Sequence, residues 1–261
     1  MTYISSHKEC PNCGGEHKGK PFCTYPNGYH CFSCGFSKNA DRSFLIREIQ
    51  PTVPEFPDSI WNPNAFSLQN LAWLLEYYVS DSEIRKFRIG ETLDGALIFP
   101  YIVGNQVICY QTRLNSTPRR IQSYGAKVPA LFSNQESRTL VIVEDFISAI
   151  RVAEQTDAVC LWGTKAPFLS LQEWIKKYDS IVVWLDNDNS KETNSGQIAA
   201  KKICETLERI LYFRNRKRGF GGGDQKEIKN LATEMDPKCY SNNELKNILQ
   251  LGVEYVLPAK Q

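Results

Sequence analysis

The 261-residue chain has no apolar run long enough to cross a bilayer. Met1 to Lys8 also lack the apolar core of a secretion signal. Both absences lead to the expectation of a soluble, cytoplasmic protein with no membrane partner. Charge imbalance is missing too: 31 Lys and Arg against 29 Asp and Glu leave a net charge of +2. Any grip on nucleic acid must therefore come from local clusters of charge. No Gly-x-x-x-x-Gly-Lys-Ser/Thr occurs; the run Gly219 to Gly223 is followed by Asp224, which excludes a phosphate-binding P-loop and the motor built on it. There is no internal repeat. A paired disulfide framework is not indicated either, because the nine cysteines are odd in number and four of them form two Cys-x-x-Cys pairs. That usage suits a metal site plus buried thiols in a reducing compartment.

What is present divides into parts. Residues 1–40 are rich in Cys, Gly and aromatics, and a segment this small needs a staple such as a metal ion. Residues 41–60 carry Pro51, Pro54 and Pro57 in a polar stretch, which favours an extended linker. Residues 61–135 are mixed α+β. The spacing of Leu71, Leu74, Leu75 and Tyr78 predicts a helix, and Leu97–Tyr101 and Gln106–Arg113 predict strands joined through the turn Gly104-Asn105. A polar, basic loop is expected after Arg113. Residues 136–235 alternate regularly. Strands are predicted at Thr139–Val143, Ala158–Trp162, Ile181–Leu185 and from Leu211 to Phe213. Helices are expected through Ile147, Ile150 and Ala153, through Leu171, Trp174, Ile175 and Tyr178, and through Ala199, Ile203, Leu207 and Ile210. This alternation predicts an α/β fold with a parallel sheet covered on both faces. Residues 236–261 form a tail in which Asn243–Leu251 suits a helix.

Cys10-Pro11-Asn12-Cys13 and Cys31-Phe32-Ser33-Cys34 have the spacing of two zinc knuckles. Four thiolates close a tetrahedron, so the expected zinc is structural and the fold a β-ribbon. His30, with Lys8, Lys18, Lys20 and Tyr29, is either a surface for single-stranded nucleic acid or a solvated face. Further along, Glu144 ends one predicted buried strand, and Asp186 and Asp188 end another. In open α/β sheets ligands bind beyond the carboxyl ends of strands, which brings the three acids to one edge. Such a cluster suits Mg²⁺ and a phosphate substrate.

These residues resemble those of bacterial and phage replicative primases. Gly28-Tyr29-His30-Cys31-Phe32-Ser33-Cys34-Gly35 is similar to their zinc-ribbon signature. Leu97-Ile98-Phe99-Pro100 with Val107 to Arg113 resembles a core stretch of their polymerase domain. Glu144 and Asp186-Asn187-Asp188 fall where the family carries its Toprim acids, and the order of parts is similar over nearly the whole chain. Four cysteine ligands and the missing motor suggest the stand-alone phage branch. The resemblance implies a polymerase subdomain at 61–135, a Toprim subdomain at 136–235, and primer synthesis from ribonucleoside triphosphates on single-stranded DNA. It implies catalytic roles for Glu144, Asp186 and Asp188, a further metal-binding acid in Asp224, and phosphate contacts from Arg113, Arg119, Arg120 or Lys127. A separate helicase or polymerase is an implied partner. The Toprim pattern Glu-Gly-x-x-Asp reads Glu144-Asp145-Phe146-Ile147-Ser148 here, which leaves open whether Asp145 compensates for the missing acid. Two other functions remain open: a non-catalytic recombination mediator with zinc and Toprim parts, and a Toprim nuclease.

Overall fold

The computed structural model describes residues 54–115, 120–126, 128–133, 137–187, 194–218 and 225–251, together with four short strands before residue 40. Asp188, Asp224, Arg119, Lys127, Cys10, Cys13 and Cys34 lie outside the described residues. The chain forms two units, Met1–Thr52 and Val53–Gln261.

In the first unit, β1 (Ser5–His7), β2 (Phe22–Tyr25), β3 (Gly28–Cys31) and β4 (Ser37–Asn39) make an antiparallel sheet in chain order. Cys23 on β2 pairs with His30 on β3. Cys23 and Cys31 are buried and His30 is half-buried rather than fully exposed.

The second unit is a mixed α/β fold with two five-stranded sheets. One is antiparallel in the order β5 (Ser59–Ile60), β6 (Gly90–Thr92), β7 (Leu97–Val103), β8 (Gln106–Leu114), β9 (Arg120–Gly125). Residues 54–60 pack on it, with Tyr110 donating to the Glu55 carbonyl at 2.9 Å. Arg120–Gly125, for which no strand is predicted, closes the sheet as β9, and residues 116–119 of the basic loop expected after Arg113 lie outside the described residues. Every residue of β9 is exposed, so it carries no apolar alternation to announce it. Helices α1 (Leu68–Glu76) and α2 (Asp81–Lys86) pack beside this sheet.

The other sheet runs β10 (Ala130–Phe132), β12 (Asp157–Cys160), β11 (Thr139–Val143), β13 (Ser180–Val183), β14 (Glu227–Asn230). Four strands are parallel, β11, β12 and β13 as predicted and β14 unpredicted, but β10 is an antiparallel edge strand, so the sheet is mixed. Alternation along β11 explains its position. Leu140 and Ile142 face α4 (Phe168–Lys177) and α5 (Ser195–Arg218), while Val141 and Val143 face α3 (Phe146–Ala153), α6 (Asn242–Leu251) and the antiparallel sheet. The tail helix thus docks on the core through Leu245 and Ile248. The strand predicted from Leu211 to Phe213 does not form, and the basic run from Arg214 is not a loop: α5 continues to Arg218. No Gly or Pro interrupts the sequence between Gly196 and Gly219, and cations are favoured at a helix C-terminus. Among the described residues no helix is long and apolar enough to cross a membrane.

All eight residues of α3 are buried, including Arg151. Its guanidinium pairs with Glu83 of α2 at 3.1 Å and reaches Asn242 of α6. Glu83 also closes the α2 capping box with Ser80. One buried charge therefore ties three helices across the core. Glu83→Ala would leave the guanidinium buried without its carboxylate and should cost about 3–5 kcal/mol in urea unfolding. Replacing Glu83 and Arg151 together by Leu and Met should recover most of that loss.

Candidate active site

Strand β11 delivers Glu144, and the chain turns at once into α3 with Asp145 as N-cap. Asp186 follows β13, whose neighbour in the sheet is β11. Parallel register thus brings both acids to one sheet edge, as the sequence suggests. They line a single cleft of about 170 Å³ with Arg113 and Gln111 of β8, Ile121 of β9, Trp73 of α1, and Lys238. Phe99, Phe146 and Trp162 form an apolar wall of the same cleft. Phe146 packs on Phe99 and Trp162 with ring centroids 5.4 and 5.8 Å apart. Arg113 is held in place on the Trp73 ring, 4.0 Å from its centroid, and donates to Asn115 at 2.8 Å.

Other candidates sit elsewhere. Arg120 lies on the opposite face of the antiparallel sheet, in a second cavity with Tyr110, Thr112, Gln122 and Tyr124. Strand alternation is the cause, since its neighbour Ile121 pairs with Arg113 and turns toward the acidic cleft. His30 belongs to the first unit.

The segment bearing Asp186 is fixed from several sides. Gln197 donates to the Leu185 carbonyl at 3.1 Å, Asn187 donates to the Thr233 carbonyl at 2.8 Å, and Asn194 donates to Asn187 at 2.6 Å. At the start of α5, Gly196 lies so close that a Cβ would sit 2.0 Å from the Asp186 carbonyl oxygen. No side chain fits there, and the clash is with backbone.

Two features of the cleft go beyond the sequence reading. One is how Asp145, left open there, is engaged: Ser148 N–H donates to Oδ1 and Ser148 Oγ to Oδ2, each at 3.0 Å. The other is Lys238, on the 3₁₀ turn Pro237–Cys239. It pairs with Asp145 at 2.7 Å, Asp236 at 2.8 Å and Asp186 at 3.7 Å. Burial would favour the neutral amine, but these carboxylates, Asp145 foremost, outweigh it and raise the Lys238 pKa. Burial likewise works against ionised Asp145, yet Lys238 and Ser148 hold its pKa below the usual value. Asp186 behaves oppositely. Burial pushes it up to about 8, Lys238 opposes the rise, and Asp145, Asp236 and Glu144 add to it. A lysine so far along the chain from Asp145 gives no local signal, so only the fold reveals it.

No group of three or more His, Cys, Asp or Glu side chains stands ready to hold a metal among the described residues. The donors present do fit one hard divalent cation. Asp186 Oδ1 is buried with no hydrogen-bond partner, and Glu144 lines the same cleft with a second carboxylate. Asp145, by contrast, has both oxygens hydrogen-bonded, with Oδ2 shared between Ser148 and Lys238. The buried thiols of Cys109, Cys160 and Cys204 stay protonated at neutral pH, since burial pushes Cys109 and Cys204 up to about 11 and Cys160 well above its ordinary value.

The fold and cleft define a mixed α/β protein with an acidic, phosphate-compatible site at the carboxyl edge of parallel strands. Solved structures similar to it include DnaG-type primase domains. A DNA primase domain from Pseudomonas aeruginosa matches at 16% identity and a TM-score of 0.44, over 74% of this chain and 63% of that one. A DnaG primase catalytic domain bound to ssDNA matches at 17% and 0.44, over 75% and 62%. The zinc-binding and RNA polymerase domains of the Aquifex aeolicus primase match at 12% and 0.43, over 96% and 79%. The matched part thus spans less than two thirds of the first two chains. No protein-family model and no curated protein matches the chain.

Two consequences are measurable. Gly196→Ala should displace the Asp186 backbone and lower stability by about 1–3 kcal/mol, read by urea unfolding. Asp186→Asn should stabilise metal-free protein in a pH-dependent way. An unfolded Asp ionises near about 3.9, whereas folded Asp186 ionises at about 8. The folded state therefore holds the extra proton between those values, and stability falls as pH rises through them. The gain in Tm from Asp186→Asn should be small near the lower value and largest above the upper one.

Proposed function

We propose that this protein is a DNA primase that joins ribonucleotides on a single-stranded DNA template. The carrying observation is the cleft itself, where carboxylates Glu144 and Asp186 face the anchored guanidinium of Arg113. Glu144 and Asp186, with Asp188 and Asp224 from the sequence, would hold Mg²⁺ or Mn²⁺. When bound, such a cation neutralises phosphate charge and eases deprotonation of an attacking 3′-hydroxyl.

The chain's own groups supply the rest. Arg113 presents fixed N–H donors to a phosphate, with its orientation set by Trp73 and Asn115. Gln111 adds a neutral donor and acceptor beside it. Buried Phe99 and Phe146 close the back of the cleft to water, and half-buried Trp162 offers flat surface to a base. The hydrogen bonds around Leu185, Asn187 and Gly196 hold Asp186 before substrate arrives, so little reorganisation is needed during reaction. Arg119, Arg120 and Lys127 belong to the template-binding reading. So does the N-terminal segment: Cys10, Cys13, Cys31 and Cys34 would bind one structural zinc, and His30 would lie on the template-facing surface. A stand-alone primase of phage type, acting with a separate helicase or polymerase, is the finer form of this reading.

The test is primer synthesis on mixed-sequence single-stranded DNA with labelled ribonucleoside triphosphates and Mg²⁺ or Mn²⁺. Short labelled oligomers are expected from the native protein. Asp186→Ala and Glu144→Gln should each reduce them by about 10²-fold or more. DNA binding without product under either metal would refute the reading and favour a mediator. Cleavage of the template in place of synthesis would favour a nuclease.

A further inference from the structure

In the sequence, Asp145 and Ser148 stand where the family pattern carries Gly and Asp. These two changes and Lys238 are one structural unit. Ser148 is wholly buried and gives both its N–H and its hydroxyl to Asp145. Asp145 Oδ2 then also accepts from Lys238, and Asp236 accepts from the same ammonium. Two of the three ammonium protons are thereby assigned, and the Nζ still lies within ion-pair range of Asp186 Oδ2. The Lys238 side chain is only 12% exposed, so water contributes little to its solvation. The turn that carries it packs against α3, which fixes its place at the helix start.

We propose that Lys238 is a built-in cation of this cleft: its ammonium occupies the Asp145 side of the carboxylate cluster, and the site takes a single divalent ion on the Glu144 and Asp186 side. The inference rests on the metal-dependent reading above and deepens it. Asp186 presents its two oxygens unequally, which supports the division. Oδ2 faces the ammonium, while Oδ1 is buried and unpartnered. A second divalent ion beside Asp145 would have to displace a hydrogen-bonded ammonium held by two carboxylates. Lys238 is in this account a positioning residue: it neutralises Asp145 and Asp236 and orients Asp186, without touching substrate.

The test counts Mn²⁺ bound to the full chain by electron paramagnetic resonance, taking Glu144→Gln/Asp186→Asn as the cleft-free reference. The native protein should bind one Mn²⁺ above that reference. Lys238→Met, which keeps the stem and removes the charge, should bind two. One Mn²⁺ in both proteins, or two in the native one, would overturn the role of Lys238 and leave the metal-dependent reading standing. None in either would overturn both. Should Lys238→Met fail to fold, the native protein still decides through NMR of its lysine side-chain ¹⁵N groups. A buried, hydrogen-bonded ammonium gives a slowly exchanging signal, and that signal should persist when Mg²⁺ is added. Its loss on Mg²⁺ binding would mean that the metal takes the place of Lys238.

Discussion

Glu144, Asp145 and Asp186 share one cleft at a sheet edge, Asp236 reaches it through Lys238, and like charges gathered in this way repel. Much of the second unit answers that repulsion. Glu144 and Asp186 are brought there by the parallel pairing of β11 with β13, a register fixed by apolar residues on both faces. Asp145 is brought there because it caps α3. None can withdraw without unmaking a strand end or a helix start. The cluster is instead balanced in place by Lys238, by Arg113 across the cleft, and by a proton on Asp186 when no metal is bound.

The same constraint links the two sheets. Helix α3 begins at the acidic edge and runs buried between them, and its Arg151 pairs with Glu83 and donates to Asn242. Phe146, its first residue, forms part of the cleft wall with Phe99 of the antiparallel sheet. Arg113 comes from that sheet too. The cleft is thus assembled from both sheets, and packing around α3 controls the distance between its acidic and basic sides.

Much of this arrangement is legible in the sequence, and the remainder has identifiable reasons for being hidden. Thr139–Val143 reads as a buried strand because β-branched and apolar residues fill both faces, and Glu144 at its end stands out for the same reason. Asp186 is legible on the same grounds. Strand β9 is not, since an exposed edge strand has no hydrophobic period to betray it. Leu211, Tyr212 and Phe213 mislead in the other direction. Their composition suits a strand, yet Tyr212 and Phe213 are exposed on a helix that nothing in the sequence stops. Lys238 and Arg151 look like ordinary surface charges, and only tertiary contact gives them partners. The separation of Arg113 from Arg120 follows from alternation along strands, which requires knowing that residue 120 begins one.

The central claim is that Asp186 and Glu144 hold a divalent cation in this cleft. Crystals of the full chain soaked in Mn²⁺ and measured at the manganese absorption edge test it directly. The account predicts one anomalous peak in the cleft, bonded to Asp186 Oδ1 and to Glu144, with Lys238 still paired to Asp145. A cleft without manganese, in protein that still makes primers with Mn²⁺, would contradict it.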